Sequence, residues 1–247
     1  MREAADLRLA GQLDSIKNFP LPEGSSLNKR IIAVGGCIGQ RDQEKLLEQH
    51  KHLDIVFGTH NIDELYGLIE DAKSKQNQLC QVKDSSEAFS TELPSTREVP
   101  WSAWLPISIG CNNFCSYCVV PYVRGREKSR ALEEVVEEAK GLIADGVKEI
   151  TLLGQNVNSY GRDLYGEPKF AKLLQAVADT GIQRLRFVTS HPKDLTDEVI
   201  SMFGELDNLC PYLHLPVQSG SNSMLKDRNR KYTREHYLDL VDKLRTA

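Results

Sequence analysis

The sequence predicts an α/β protein of two domains, the second built on parallel strands. Three observations carry this. Short apolar runs alternate with segments of helical period along most of the chain. One polar tract, residues 74–100, interrupts the alternation. Beyond it, the polar motifs fall at or just after the ends of the apolar runs, on the rim where a parallel sheet gathers its loops. The expected layout is a first domain over 1–73, a linker over 74–100 and a second domain over 101–247.

Taken in order, Ala5, Leu7, Leu9, Ala10 and Leu13 give residues 4–13 a helical pattern. The apolar run at 29–34 ends in Gly35-Gly36-Cys37 and predicts a buried strand opening into a tight turn. A helix over 42–50, a strand over 53–57 and a helix over 62–72 follow. The tract from Ser74 to Pro100, with Ser85-Ser86 and Pro94-Ser95-Thr96, predicts an exposed linker. Past it, a strand over 103–109 delivers Cys111 to its C-terminal end. Leu132, Val135, Val136, Ala139, Leu142 and Ile143 mark one face of a helix that Gly146 would stop, with Glu133, Glu134, Glu137 and Glu138 as its solvated face. Strands over 147–153, 184–189 and 212–217 alternate with helices over 170–178 and 195–206, and a helix over 233–244 closes the chain.

Composition sets the outer bounds. With 247 residues, 40% hydrophobic and 27% charged, the chain has the balance of a soluble globular protein. Met1-Arg2-Glu3 begins a charged start without the apolar stretch of a signal peptide, and no apolar run reaches membrane-spanning length, so a cytoplasmic location and no membrane partner are expected. Three of the six cysteines are clustered and Cys37, Cys80 and Cys210 are scattered, which fits a reducing compartment better than a disulfide framework. A net charge of −4 gives no global attraction to nucleic acid, so any such contact must be local.

The cluster is Cys111-Asn112-Asn113-Phe114-Cys115-Ser116-Tyr117-Cys118. Thiolates are the ligands that iron–sulfur clusters select, and three in one loop can hold three corners of a [4Fe-4S] cube. The fourth iron is then open to the amino and carboxylate groups of S-adenosylmethionine (SAM), whose sulfonium can accept one electron. A zinc knuckle would need a fourth Cys or His nearby, and none occurs between Trp101 and Arg130.

This spacing is the radical-SAM pattern, and four further stretches occur in register: Cys118-Val119-Val120-Pro121-Tyr122-Val123-Arg124-Gly125-Arg126-Glu127, Leu152-Leu153-Gly154-Gln155-Asn156-Val157-Asn158-Ser159-Tyr160-Gly161, Arg186-Phe187-Val188-Thr189-Ser190-His191-Pro192 and His214-Leu215-Pro216-Val217-Gln218-Ser219-Gly220-Ser221. Together they resemble the bacterial radical-SAM tRNA methylthiotransferases of the MiaB type over nearly the whole chain, with 73–100 the least informative stretch. The resemblance implies a partial N-terminal methylthiotransferase α/β domain followed by an incomplete radical-SAM (β/α) barrel, of which four strands are expected. It implies a fragment lacking both ends, with a small RNA-binding domain normally following the barrel. In that family three N-terminal cysteines hold a second, auxiliary [4Fe-4S] cluster. Cys37 matches the third, and the first two have no counterpart.

On the same resemblance Cys111, Cys115 and Cys118 hold the radical-SAM cluster. Gly154, Gln155, Asn156, Ser190, His214 and Gln218 are candidates for SAM binding. Their neutral groups suit ribose, carboxylate and adenine edges, with Gly154 and Gly220 allowing close backbone approach, although the same residue types also cap helices and satisfy loops. His191, before Pro192, reads equally well as a turn residue, and Cys210 as packing. Arg124, Arg126, Lys128 and Arg130 are candidates for tRNA phosphates; a second basic stretch, Lys226, Arg228, Arg230, Lys231 and Arg234, fits that reading or a solvated loop. The implied activity is transfer of a methylthio group to C2 of N6-isopentenyladenosine beside the tRNA anticodon, one SAM as methyl donor and another as radical source. An electron-donor protein and a monomeric enzyme belong to this expectation. The alternatives are a related methylthiotransferase acting on a ribosomal-protein aspartate, and a non-catalytic iron–sulfur, zinc or SAM-binding remnant.

Overall fold

The computed structural model describes residues 3–21, 23, 24, 29–75, 77–84 and 96–247. The expectations for Met1-Arg2 and for residues 85–95 of the linker lie outside these. The chain forms two compact units, Met1–Leu93 with Tyr122–Gly125, and Pro94–Pro121 with Arg126–Ala247.

The first unit runs α1 (Glu3–Ile16), β1 (Ala33–Val34), α2 (Cys37–Asp42), α3 (Glu44–Gln49), β2 (Ile55–Phe57), α4 (Leu65–Lys75) and β3 (Leu79–Gln81). Its strands form one parallel sheet in the order β1-β2-β3. β2 is central and buried at all three positions, and Leu53 and Val56 pack with Leu13, Ile32, Leu46 and Leu47. Three expectations change here. The strand over 29–34 pairs only at Ala33–Val34 and alternates exposed and buried, because it is the sheet edge. The helix expected over 42–50 forms at Glu44–Gln49, set off by Gln43, whose φ of 47° is left-handed, from an unexpected helix, α2, that ends at Asp42. The linker expectation fails at Leu79–Gln81, which is the third strand, with Cys80 opposite Val56 and packed against the apolar cluster. The close approach of β2 also explains Gly35: a Cβ there would lie 2.0 Å from the Phe57 ring.

The second unit runs β4 (Ser102–Pro106), β5 (Ser108–Ile109), α5 (Val120–Val123, whose last two residues group with the first unit), β6 (Lys128–Ser129), α6 (Leu132–Ala144), β7 (Glu149–Leu153), α7 (Arg162–Tyr165), α8 (Phe170–Ala178), β8 (Arg184–Phe187), α9 (Asp197–Glu205), α10 (Asn222–Asp227) and α11 (Arg234–Thr246). β4, β7 and β8 make a parallel sheet in that order. Its core is continuous: Leu105, Ile150, Leu152, Leu185 and Phe187 from the strands meet Val135 and Ala139 of α6 and Leu173, Leu174 and Val177 of α8. Thr196 caps α9 and Thr233 caps α11, each hydroxyl accepting a backbone N–H of the first turn.

The expected strand over 103–109 divides after Pro106. Its first part pairs with β7, and β5 turns to pair antiparallel with β6. The expected fourth strand is not formed. A single parallel bridge, Leu185 with Leu209, continues the sheet. Beyond it the Leu215 and Val217 carbonyls accept hydrogen bonds from the Tyr237 and Tyr232 hydroxyls, at 2.9 and 2.7 Å. Side chains thus satisfy backbone that a ladder would otherwise pair. Among the described residues no helix is long and apolar enough to cross a membrane.

Candidate cluster and cofactor site

β5 and Gly110, at φ 76°, turn the chain into the cysteine loop. The loop makes a tight turn, the Cys118 N–H donating to the Cys115 carbonyl at 2.9 Å, and Phe114 takes a left-handed φ of 48°. That conformation is held from outside by Arg228-Asn229-Arg230, the segment after α10. The Asn229 amide Nδ2 donates to the carbonyls of Phe114 (2.9 Å) and Asn113 (3.3 Å), and the Ser116 N–H donates to the Arg228 carbonyl (3.2 Å). Arg230, 5% exposed, donates from Nη1 to Cys115 Sγ at 3.1 Å and from Nε to the Tyr232 hydroxyl at 3.3 Å. Burial opposes the Arg230 charge, but the bonds to Tyr232 and Cys115 hold its pKa above the ordinary arginine value. This clamp is the feature that sequence reasoning missed: the stretch from Lys226 to Arg234 reads as a surface charge run, and the burial of Arg230 between half-buried Asn229 and exposed Lys231 is not visible in a list of cations.

Cys111, Cys115 and Cys118 line one cavity of about 200 Å³. Across it stand Gln155 after β7, Ser190 and His191 after β8, and His214 and Gln218 from the extended segment. Thr189 and Gln218, both at φ 65°, bend the backbone at its wall. Three buried polar atoms here lack a hydrogen-bond partner: Gln155 Oε1, Ser190 Oγ and His191 Nε2. The His191 Nδ1 accepts the Lys193 N–H at 3.2 Å, so a neutral ring carries its proton on Nε2. Burial, then the Arg230 charge, pushes the His191 pKa down to about 3, which keeps the ring neutral at physiological pH. Burial pushes the Cys111 thiol up to about 11, so ligation of a metal at this sulfur must release a proton.

Several expected positions fall elsewhere. Gly154 is not a lining residue; a Cβ there would meet Ser108 Oγ at 2.6 Å, so strand packing with β5 accounts for it. Asn156 faces away from the cavity lining and donates from Nδ2 to the buried Asp194 carboxylate at 2.7 Å. Gly220 is exposed with open space around it. Arg130 is 5% exposed, donates to the Pro106 carbonyl at 3.0 Å and pairs with Glu138 at 2.6 Å, which removes it from the phosphate-binding candidates and makes α6's acidic face partly structural. Lys128 lies half-buried in β6, opposite Ile109. Arg126 is exposed, its guanidinium 4.5 Å from the Phe114 ring centroid. Cys37 begins α2 in the first unit, and within that unit its Sγ accepts from Arg124 Nε at 3.3 Å. Cys210 is half-buried, its N–H donating to the Leu185 carbonyl at 2.9 Å.

A buried polar network, not foreseen from the residue pattern, joins the segments that carry these residues. Glu127, 7% exposed, accepts the Ser159 hydroxyl at 2.7 Å, and burial pushes its pKa up to about 7. Asp163 accepts from the Ser129 N–H and hydroxyl at 2.8 and 2.6 Å, and the Asp194 carboxylate faces Arg162 at 3.4 Å and Lys193 at 3.1 Å. These bonds fasten β6 and the segment after β7 to the residues after β8.

A sheet whose C-terminal rim carries a three-cysteine loop defines a class, and the profile described as "Radical SAM superfamily" matches residues 105–247. The chain belongs to that superfamily. Over 249 residues it is 47% identical to the protein named tRNA-2-methylthio-N(6)-dimethylallyladenosine synthase of Thermoanaerobacter sp. (strain X514), covering 100% of this chain and 52% of that one. A protein of the same name from Carboxydothermus hydrogenoformans is 47% identical, with 99% and 56% covered, and one from Streptomyces coelicolor 44%, with 100% and 48% covered. The chain thus spans about half the length of the curated relatives it matches. Among solved structures, the cobalamin-dependent SAM radical enzyme OxsB superposes with a TM-score of 0.60 at 15% identity, over 98% of this chain and 38% of that one, a likeness of fold.

Superfamily membership implies a [4Fe-4S] cluster and SAM, and the cavity fits both. It offers three sulfur donors on one side, a buried cation against one of them, and orphaned hydrogen-bonding groups on the other.

Proposed function

We propose that this chain is the SAM-binding and cluster-binding part of a tRNA methylthiotransferase, which adds a methylthio group to C2 of N6-isopentenyladenosine beside the anticodon. The observation that carries the reading is the single cavity shared by Cys111, Cys115 and Cys118 with Gln155, Ser190, His191, His214 and Gln218. The name of the relatives supports tRNA as the substrate rather than a ribosomal-protein aspartate.

In this reading the three thiolates hold the cluster, which when bound supplies one electron to the SAM sulfonium. The protein's own part is to bind and orient. Ser190 and Gln155 satisfy polar edges of SAM. His191, neutral and protonated at Nε2, donates to an acceptor on it, and His214 and Gln218 close the far wall. Arg228 and Asn229 fix the backbone of the loop, so SAM meets a preorganised site. Arg126 would contact tRNA phosphate, and Cys37 would be a ligand of the auxiliary cluster. An electron-donor protein, a monomer and a cytoplasmic setting accompany this proposal.

Anaerobic reconstitution of the 247-residue chain with iron and sulfide tests the core of it. About four irons per chain and SAM cleavage to 5′-deoxyadenosine are expected, both lost in Cys115→Ala. Nucleoside mass spectrometry of tRNA from cells carrying the full-length parent, wild type or with the same change, tests the substrate. Zinc uptake in place of iron, or methylthiolated tRNA at wild-type level without Cys115, would reject the proposal.

A further inference from the structure

Arg230 is a buried cation whose partners are unusual. Among the described residues no carboxylate lies within ion-pair distance of it; it donates instead to a sulfur, Cys115 Sγ at 3.1 Å, and to the Tyr232 hydroxyl at 3.3 Å. Tyr232 in turn donates to the Val217 carbonyl at 2.7 Å, and its ring lies 5.3 Å from the guanidinium, so the arginine is fixed from two sides. A guanidinium taken out of water without a counter-charge is destabilising. A thiolate of an iron-bound Cys115 would supply that counter-charge at the distance observed.

Hydrogen bonds and charge at ligand sulfurs are among the features that set a cluster's reduction potential. Reduction adds negative charge to the cluster, and a fixed cation beside a ligand sulfur favours the state that carries more of it. We propose that Arg230 is a positioning residue that raises the reduction potential of the cluster on the loop from Cys111 to Cys118, through its N–H donated to Cys115 Sγ and its buried charge. This rests on the reading of that loop as a cluster site. It gives a different duty to a residue that the charge pattern offers to RNA phosphate. Its neighbours Arg228 and Asn229 hold the loop's backbone; Arg230 alone among the three reaches a sulfur.

The test uses the 247-residue chain, wild type and with Arg230→Gln or Arg230→Lys, reconstituted anaerobically with iron and sulfide. The midpoint potential is read by EPR during titration with a chemical reductant, in the absence of SAM, so that any effect on SAM binding stays out of the measurement. With iron content retained, Arg230→Gln is expected to move the potential to a more negative value, and Arg230→Lys, which keeps the charge, to move it less. A Gln variant with its full iron and the wild-type potential overturns the proposal. Loss of iron from both variants, with circular dichroism showing them folded, also overturns it, because Arg230 would then build the site instead of tuning it. If the wild type takes up no iron, the cluster reading falls first and the proposal with it, whereas a wild-type cluster with an unshifted Gln variant refutes the proposal alone.

Discussion

If the clamp holds the cysteine loop in its ligating conformation, Asn229 is the residue whose change reports it most cleanly. Its amide makes two hydrogen bonds to loop carbonyls, one short at 2.9 Å and one long at 3.3 Å, and its own φ of 54° is left-handed. Asn229→Gly removes the bonds and leaves the backbone comfortable. At a net ~0.5–1.5 kcal/mol per bond, with the longer bond at the low end, the loop loses about 1–2 kcal/mol of closure. That raises the open fraction by a factor of about 5–30. Asn229→Ala loses the same bonds and adds the strain of a Cβ at positive φ, about 1 kcal/mol more, hence a further factor of about five. The assay is the rate at which a chelator extracts iron from the anaerobically reconstituted chain, followed by loss of cluster absorbance. The expected order is wild type slowest, Gly faster, Ala fastest. A Gly variant extracted at the wild-type rate would show that the side-chain amide does not hold the loop, and the preorganisation argument would fail.

Three further outcomes follow from groups around the site. Glu127 sits at about 7 instead of the ordinary 4.5, so between those values the folded chain holds a proton that the unfolded chain has released; stability falls as pH rises through the window, with no cost below it and the full cost above it. Glu127→Gln, which still accepts from Ser159, should gain on the order of 3 kcal/mol over wild type in alkaline solution and little in acid, read as urea midpoints on either side of neutrality, and equal differences at both would contradict the burial argument. Arg130→Ala should cost about 2 kcal/mol, from a Pro106 carbonyl left without its donor and a lost pair with half-exposed Glu138, with the urea midpoint as measure; a variant as stable as wild type would return Arg130 to the surface-contact candidates. Arg126→Ala in the full-length parent should weaken tRNA binding and reduce the slope of log affinity against log salt by about 1, the value for one phosphate contact, whereas an unchanged slope would remove Arg126 from the interface.

What the sequence disclosed and what it concealed divide along a physical line. Contacts between near neighbours in sequence leave a periodic or spaced trace: the helix at Phe170–Ala178 was expected with the residues observed, and the cysteine loop needed only its spacing. Contacts between distant residues leave none. Arg230 reaches Cys115 across 115 positions and Arg130 reaches Pro106 across 24, and in each case a cation that pattern assigns to the surface is buried. The three-residue strand Leu79–Gln81 was hidden for a related reason: it is shorter than any pattern that periodicity can resolve, and its pairing with β2 alone makes it a strand.

The same distinction explains which of the expected cofactor residues reached the cavity. Gln155, Ser190, His214 and Gln218 did, and Gly154 and Asn156 did not, although Gly154, Gln155 and Asn156 all follow the same strand. Motif position sets the rim but not the side. Along Gly154-Gln155-Asn156, burial by Ser108 on one flank and by Asp194 on another leaves only the middle residue turned toward the cysteines. His191 shows the converse, since a histidine before proline reads as a turn and does cap one through Nδ1. That same hydrogen bond commits its proton to Nε2, the buried atom left without a partner, so the structural duty of the residue is what prepares it to bind a ligand.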